Sequence, residues 1–333
     1  MPKRTIIDLF AGVGGLSMGF SRLGFEIVFA NDFDAAAAKT FMHNHPNTPF
    51  HVGAIEEIDV QNLVKSGTIP SSVDVLVGGV PCQAFSMAGY RIRNNRKEEF
   101  DQRVYLFRHF LRFVKQLRPK FVVIENVKGL TSMLNGDVIS EILRELRGLG
   151  YMAEWKYLNA ADYGAPQLRE RTVIIANNLG LDPIFPLPTV MPDAYKAVST
   201  VLSDVVPLNH EPRPLSGAAL ERVKRLMPGQ NWKDLPPALQ TKSVHSGAYG
   251  RIDPTKPSRT LTTRFDTPSV GYVTHPFENR CLTVREGARI QGFPDSFEFL
   301  GTRMQQYRQV GNAVSPYMSD AIAKLIAQAL ETK

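Results

Sequence analysis

Apolar residues along the chain fall into short β-branched runs separated by stretches with helical spacing. Six runs read as strands: Thr5–Phe10, Glu26–Ala30, Val73–Val77, Phe121–Ile124, Ala153–Leu158 and Thr172–Ala176. A helix is expected from the glycine turn after the first strand to about Leu23, where Gly24 stops it. Asp34 begins another with Ala35 to Ala38. Val104, Phe107, Leu111 and Val114 mark a third, which Pro119 ends. A fourth runs from about Asp137 with Ile139, Ile142, Leu143 and Leu146 on one face. Strands alternating with helices predict an α/β fold with a doubly wound, mostly parallel sheet. From about Leu179 the prolines crowd and break any long element, which predicts a second, smaller, loop-rich domain. Regular pattern returns at Leu282-Thr283-Val284-Arg285-Glu286, a capped helix start. A last helix begins at Ser315-Pro316 and carries Ile322, Leu325, Ile326 and Leu330.

Composition narrows the class. The 333 residues are 43% hydrophobic, enough for a sizeable core in one large domain or two and too many for a disordered chain. Two cysteines, Cys82 and Cys281, make no disulfide framework and fit a reducing, cytoplasmic setting. The N-terminus is a poor signal peptide, and no run of eighteen apolar residues predicts a membrane span. The formal charge is +7, and residues 205–264 hold ten Lys/Arg against four Asp/Glu, a local +6. Such a field suits a polyanionic partner, although an ordinary basic surface has the same count.

Candidate chemistry gathers at the ends of the predicted strands. Gly78-Gly79-Val80-Pro81-Cys82 puts a thiol on a stiff corner at the carboxyl end of a strand, where open α/β sheets bind ligands. A thiol there is a nucleophile if positive charge lowers its pKa; the competing reading is a small buried hydrophobe. Ala11-Gly12-Val13-Gly14-Gly15 opens like a nucleotide-binding unit, yet it has neither the dinucleotide spacing nor a P-loop lysine. Asp32, at the end of the second strand, could bind ribose hydroxyls, and Phe33 could lie against adenine. The alternative is a helix-start Asp and a core Phe. Glu125 falls at the same edge, and Gln167-Leu168-Arg169-Glu170-Arg171 precedes the last predicted strand.

Six motifs stand in one order: Asp8-Leu9-Phe10-Ala11-Gly12-Val13-Gly14-Gly15, Pro81-Cys82-Gln83, Glu125-Asn126-Val127, Gln167-x-Arg169-x-Arg171, Leu282–Glu286 through Gly292-Phe293-Pro294-Asp295, and Gly311-Asn312-Ala313-Val314. In this order and content the chain resembles the DNA (cytosine-5)-methyltransferase family of the bacterial modification type, over residues 4–178 and about 250–330. The resemblance implies the S-adenosylmethionine-dependent methyltransferase fold, with a catalytic domain over 1–178, target recognition over 179–262 and a return to the catalytic domain over 263–333. It implies Cys82 as the nucleophile on cytosine C6, Glu125 as general acid at N3, Arg171 on O2, and Arg169 placing substrate and thiolate. Phe10, Gly12, Gly15, Asp32, Phe33, Ile55, Pro81, Leu106 and Asn312 would touch S-adenosylmethionine. The target would be flipped out of duplex DNA, with the 86–103 loop closing over it and Ser86, Arg91, Arg93 and Arg103 meeting the nucleic acid. Charge nominates Arg222, Lys224, Arg225, Lys233, Lys242, Arg251 and Arg264 as further DNA contacts. Arg251 has a structural alternative, because Gly250-Arg251-Ile252-Asp253-Pro254 resembles the start of the family's connecting motif. No metal is expected. The resemblance further implies a monomer, with a restriction endonuclease of the same target as a plausible partner.

The sequence departs from the family in two places. Ala54 stands in Gly53-Ala54-Ile55 where an acidic residue is common, so Glu56 or Glu57 would have to replace it. The loop after Cys82 is a few residues longer than in small members. Competing functions are a tRNA cytosine-5 methyltransferase, a non-catalytic DNA-binding regulator and a thiol hydrolase. The first lacks its Cys-Phe-Thr signature here, the second is opposed by intact Cys82, Glu125, Arg169 and Arg171, and the third lacks a recognisable His partner.

Overall fold

β-Branched runs pair first. In the computed structural model, which describes residues 3–81, 106–241 and 245–332, β1 (Thr5–Leu9) lies between β2 (Glu26–Asp32) and β4 (Val75–Gly79). β3 (Phe50–Val52) extends the sheet beyond β2, and β5 (Phe121–Val127) extends it beyond β4. These five strands are parallel. β8 (Glu170–Asn177) then pairs antiparallel with β5, and β6 (Met152–Asn159) antiparallel with β8, giving the order β3-β2-β1-β4-β5-β8-β6. The expected mostly parallel, doubly wound sheet is therefore present. β3 was not expected: three residues with His51 in the middle carry no period that a pattern can show.

Helices cover the sheet by the apolar faces that predicted them. Leu106–Leu117 buries Phe107, Phe110, Leu111, Phe113, Val114 and Leu117. Gly78 makes this fit possible, since a Cβ there would lie 2.7 Å from the Phe110 ring and 2.8 Å from the Leu9 carbonyl oxygen. Asp34 caps Ala35–Asn44 by accepting from the Ala36 amide at 3.0 Å. The last helix, Pro316–Glu331, meets the first, Gly15–Arg22, where Gly19 has no side chain and donates its amide to Ser319 Oγ at 2.9 Å.

The chain divides into two compact units. One comprises Met1–Asn159, Glu170–Leu187 and Met318–Lys333, and the other Ala160–Arg169 and Pro188–Tyr317. The second unit is loop-rich among its described residues. Its strands are short: β7 (Gln167–Leu168) with β10 (Ser258–Arg259), and β9 (Gly250–Arg251) with β11 (Tyr272–Thr274). Its helices include Gly217–Val223, Val284–Gln291 and Arg303–Asn312. Residues 263–317 were expected with the catalytic part; here they group with 188–262. Buried arginines explain this. Arg251 donates to the carbonyls of Val223, Leu226, His275 and Glu278, and Arg285 to those of Leu208, Pro294 and Phe297.

Among the described residues, no helix is long and apolar enough to cross a membrane. Cys281 is a free, buried thiol.

Candidate active site

Parallel strands bring their carboxyl ends to one edge, and the sheet order reverses between β1 and β4, the position where such folds open a crevice. The turn after β1 begins with Phe10 at φ 54°, a strained value for a bulky residue, followed by Gly12 at φ 56°. Asp32 holds this turn. Its carboxylate accepts from the Gly12 amide at 2.7 Å and from the Asp34 amide at 2.8 Å. Burial pushes its pKa up, and those two amides oppose the shift. Next to it Phe33 is 64% exposed, so the alternative of a core phenylalanine is excluded. Asn31, which the sequence reading passed over, is buried and donates Nδ2 to the carbonyls of His51 and Gly53 at 3.1 and 2.9 Å. It thereby fixes the segment leading to Ala54 and Ile55. No local signal marked it, because the partners lie twenty residues on.

Ile55 is buried, and its carbonyl accepts from Arg112 at 2.7 Å. Gly15 is buried at the start of the first helix, and Leu106 opens the helix that carries Arg112. Glu56 and Glu57 are exposed, with Glu57 Oε2 3.9 Å from His51 Nε2.

β4 ends at Gly79, in register with Glu125 on β5. A Cβ on Gly79 would stand 3.7 Å from Glu125 Oε2. The Asn126 amide holds the next carbonyl, that of Val80, at 3.3 Å, so the backbone entering Pro81 is fixed from β5. Because β8 runs the other way, its first residues reach the same edge. Arg171 pairs with Val127, and its Nε lies 3.0 Å from Glu125 Oε1. Both side chains are nearly buried, so solvent and salt screen this ion pair less than a surface one. Cys82 and the DNA candidates Ser86, Arg91, Arg93 and Arg103 lie outside the described residues, as does Lys242.

Arg169, expected to help place substrate and thiolate, has a structural task in the described residues. It is buried, and its guanidinium donates to the carbonyls of Leu261, Gly311 and Ala313 at 3.3, 2.9 and 2.8 Å. Two of these flank Asn312, which is exposed, so Arg169 clamps the turn that presents Asn312. Gln167 joins the clamp by accepting from the Leu261 amide at 2.9 Å and donating to Gln291 at 3.2 Å.

Most basic candidates in the second unit are engaged. Arg251, expected among the DNA contacts, is buried and spent on carbonyls and Asn279 Oδ1; it ties chain segments together. Arg222 donates to the Leu239 carbonyl and lies over Tyr249. Lys224 and Arg225 share Glu221, and Arg264 pairs with Asp266. Lys233 is exposed, with its ammonium 5.9 Å from the Trp232 ring.

The chain's likenesses agree with this geometry. A family profile described as C-5 cytosine-specific DNA methylase matches residues 4–328. Type II methyltransferase M1.HphI of Haemophilus parahaemolyticus is 37% identical over 97% of this chain and 86% of its own length. Type II methyltransferase M.Eco47II of Escherichia coli is 35% identical over 98% of this chain and 79% of its own. Among solved structures, one described as a DNA modification methyltransferase encoded within an E. coli prophage superposes with a TM-score of 0.78 at 26% identity, covering 99% of this chain and 100% of that one.

Proposed function

The chain belongs to the C-5 cytosine-specific DNA methylase family, and from its activity as a DNA cytosine-5 methyltransferase we propose how its residues divide the work. Bound S-adenosylmethionine would supply the methyl group as a sulfonium. The residues present fit it: Gly12 is open, a Cβ there meeting nothing within 4 Å, Asp32 stands behind the turn, and Phe33 offers an exposed ring for adenine. Cys82 attacks C6 of a cytosine flipped out of duplex DNA, which makes C5 nucleophilic. After C5 takes the methyl, water removes the C5 proton and the thiolate leaves by elimination. Glu125 bonds N3 and Arg171 bonds O2, relieving the charge that gathers on the ring during attack.

The observation that carries this assignment is the Glu125–Arg171 ion pair at the strand edge from which the chain enters Pro81 and Cys82. An acceptor and a fork of donors side by side match the N3–O2 edge of cytosine once N3 is protonated. The second unit would choose the sequence, and a type II setting would supply an endonuclease of the same target.

The test is duplex DNA with 5-fluorocytosine at the target, which blocks the final proton loss. Wild type should form a denaturation-resistant adduct, and Cys82→Ser should bind the same DNA without one. An active wild type that forms no adduct overturns the covalent route. Parallel methyl-transfer assays on tRNA separate the rival substrate.

A further inference from the structure

In the basic stretch of the second unit, one arginine differs from the others. Arg259 is exposed, and its guanidinium carbon lies 4.1 Å from the centre of the Tyr272 ring. The other arginines of the basic stretch are paired with carboxylates or bound to carbonyls; Arg259 has neither partner among the described residues. An aromatic ring at this distance restrains the guanidinium while the residue stays exposed.

That ring is itself fixed. The Tyr272 ring rests on the backbone of Gly247 and Gly250, where an added Cβ would come to 2.6 and 2.5 Å from ring carbons. Its hydroxyl accepts from Asn231 Nδ2 at 2.7 Å. Tyr272 also belongs to β11, paired with Gly250 on β9. Arg259 belongs to β10, whose partner is β7: Ser258 lies opposite Gln167 and Arg259 opposite Leu168. Thr260 Oγ1 adds a bond to the Leu168 carbonyl at 2.7 Å. Arg259 is thus built onto the strand pair that leads into Arg169.

We propose that Arg259 is a phosphate anchor for DNA, held against Tyr272 so that it sets the register of the duplex; this rests on the DNA-methylating reading above. A guanidinium held in advance against a ring loses less freedom on binding than a solvated one, and its fork of donors suits two oxygens of a phosphate. Because it meets backbone and no base edge, its contribution is the same for every sequence. Spacing alone does not single out this arginine among the ten Lys/Arg of residues 205–264.

The experiment measures binding of wild type, Arg259→Gln, Arg259→Lys and Tyr272→Leu to a target duplex and to an unrelated duplex, over a range of salt. Thermal melting confirms that each variant folds. Arg259→Gln should weaken both duplexes by about tenfold and lower the salt slope by about one. Arg259→Lys should keep the slope and recover part of the affinity. Tyr272→Leu should keep the slope and lose affinity, because the charge remains and its support is gone. If Arg259→Gln changes neither affinity nor slope, Arg259 is no anchor. A loss confined to the target duplex means base reading and overturns the phosphate assignment. If wild type binds no duplex at all, the DNA reading fails instead.

Discussion

Asp8 shows how a single residue couples the motif to pH. It lies fully buried on β1 with neither carboxylate oxygen in a normal hydrogen bond. Burial pushes its pKa up to about 7, aided by the charge of Asp32 and opposed by the nearby Ser17 hydroxyl and amide. The folded state therefore holds a proton that the unfolded chain releases near 3.8. Between those values folding takes up a proton, so this residue's contribution to stability falls as pH rises from about 4 to about 7 and is flat above. Asp32 is shifted in the same direction, so it adds to the trend. Asp8→Asn keeps the shape and removes the charge. It should flatten stability against pH over that window and stabilise the protein at pH 8 by up to about 4 kcal/mol. Urea unfolding of both proteins at pH 5 and pH 8 checks it; equal slopes against pH would show that Asp8 is not the group responsible.

At the scale of elements, what the sequence made legible and what it hid divide by range. Strands β1, β2, β4, β5, β6 and β8 and the capped helices announce themselves through local period and local caps. Thr283 and Glu286 form the expected capping box, and Asp34 the expected cap. The carboxyl-edge placement of Asp32 and Glu125 followed from the same local reasoning. The long-range carbonyl clamps were hidden, because a buried arginine satisfied by backbone oxygens leaves no trace in side-chain pattern. Arg251 read as a DNA contact with a structural alternative, and the backbone bonds of Arg169 were not visible, for that reason. The clamp built by Arg169 predicts its own weak point. A Cβ on Gly311 would lie 2.4 Å from the Thr262 carbonyl oxygen, and backbone cannot swing aside as a side chain can. Gly311→Ala should cost about 1–3 kcal/mol of stability, the usual range for overpacking. It should also displace Asn312 and weaken S-adenosylmethionine binding. Calorimetry and urea unfolding read the two effects, and an alanine variant with wild-type values in both would remove the clamp from the account.

On the scale of the whole molecule, chemistry and target choice are expected to separate. Most of the net charge lies in residues 205–264, which supply no strand of the large sheet, while Glu125 and Arg171 belong to that sheet. The buried arginines show where an exchange of recognition segments can be made. Arg251 binds carbonyls on both sides of itself, from Val223 and Leu226 to His275 and Glu278, so it must stay with its downstream partners. Its upstream partners are backbone atoms, which a homologous segment can supply. A graft of residues 190–248 from a relative with a different target, with Asn231 and Gly247 retained as supports of Tyr272, keeps Arg251, Arg259 and Tyr272 in place. It keeps the phosphate register while changing the side chains available to base edges. The chimera should methylate the donor's sequence, mapped by sequencing methylated cytosines in DNA from cells that express it. An active chimera that still marks the original sequence would place recognition outside the graft, with the 86–103 loop as the first segment to exchange next.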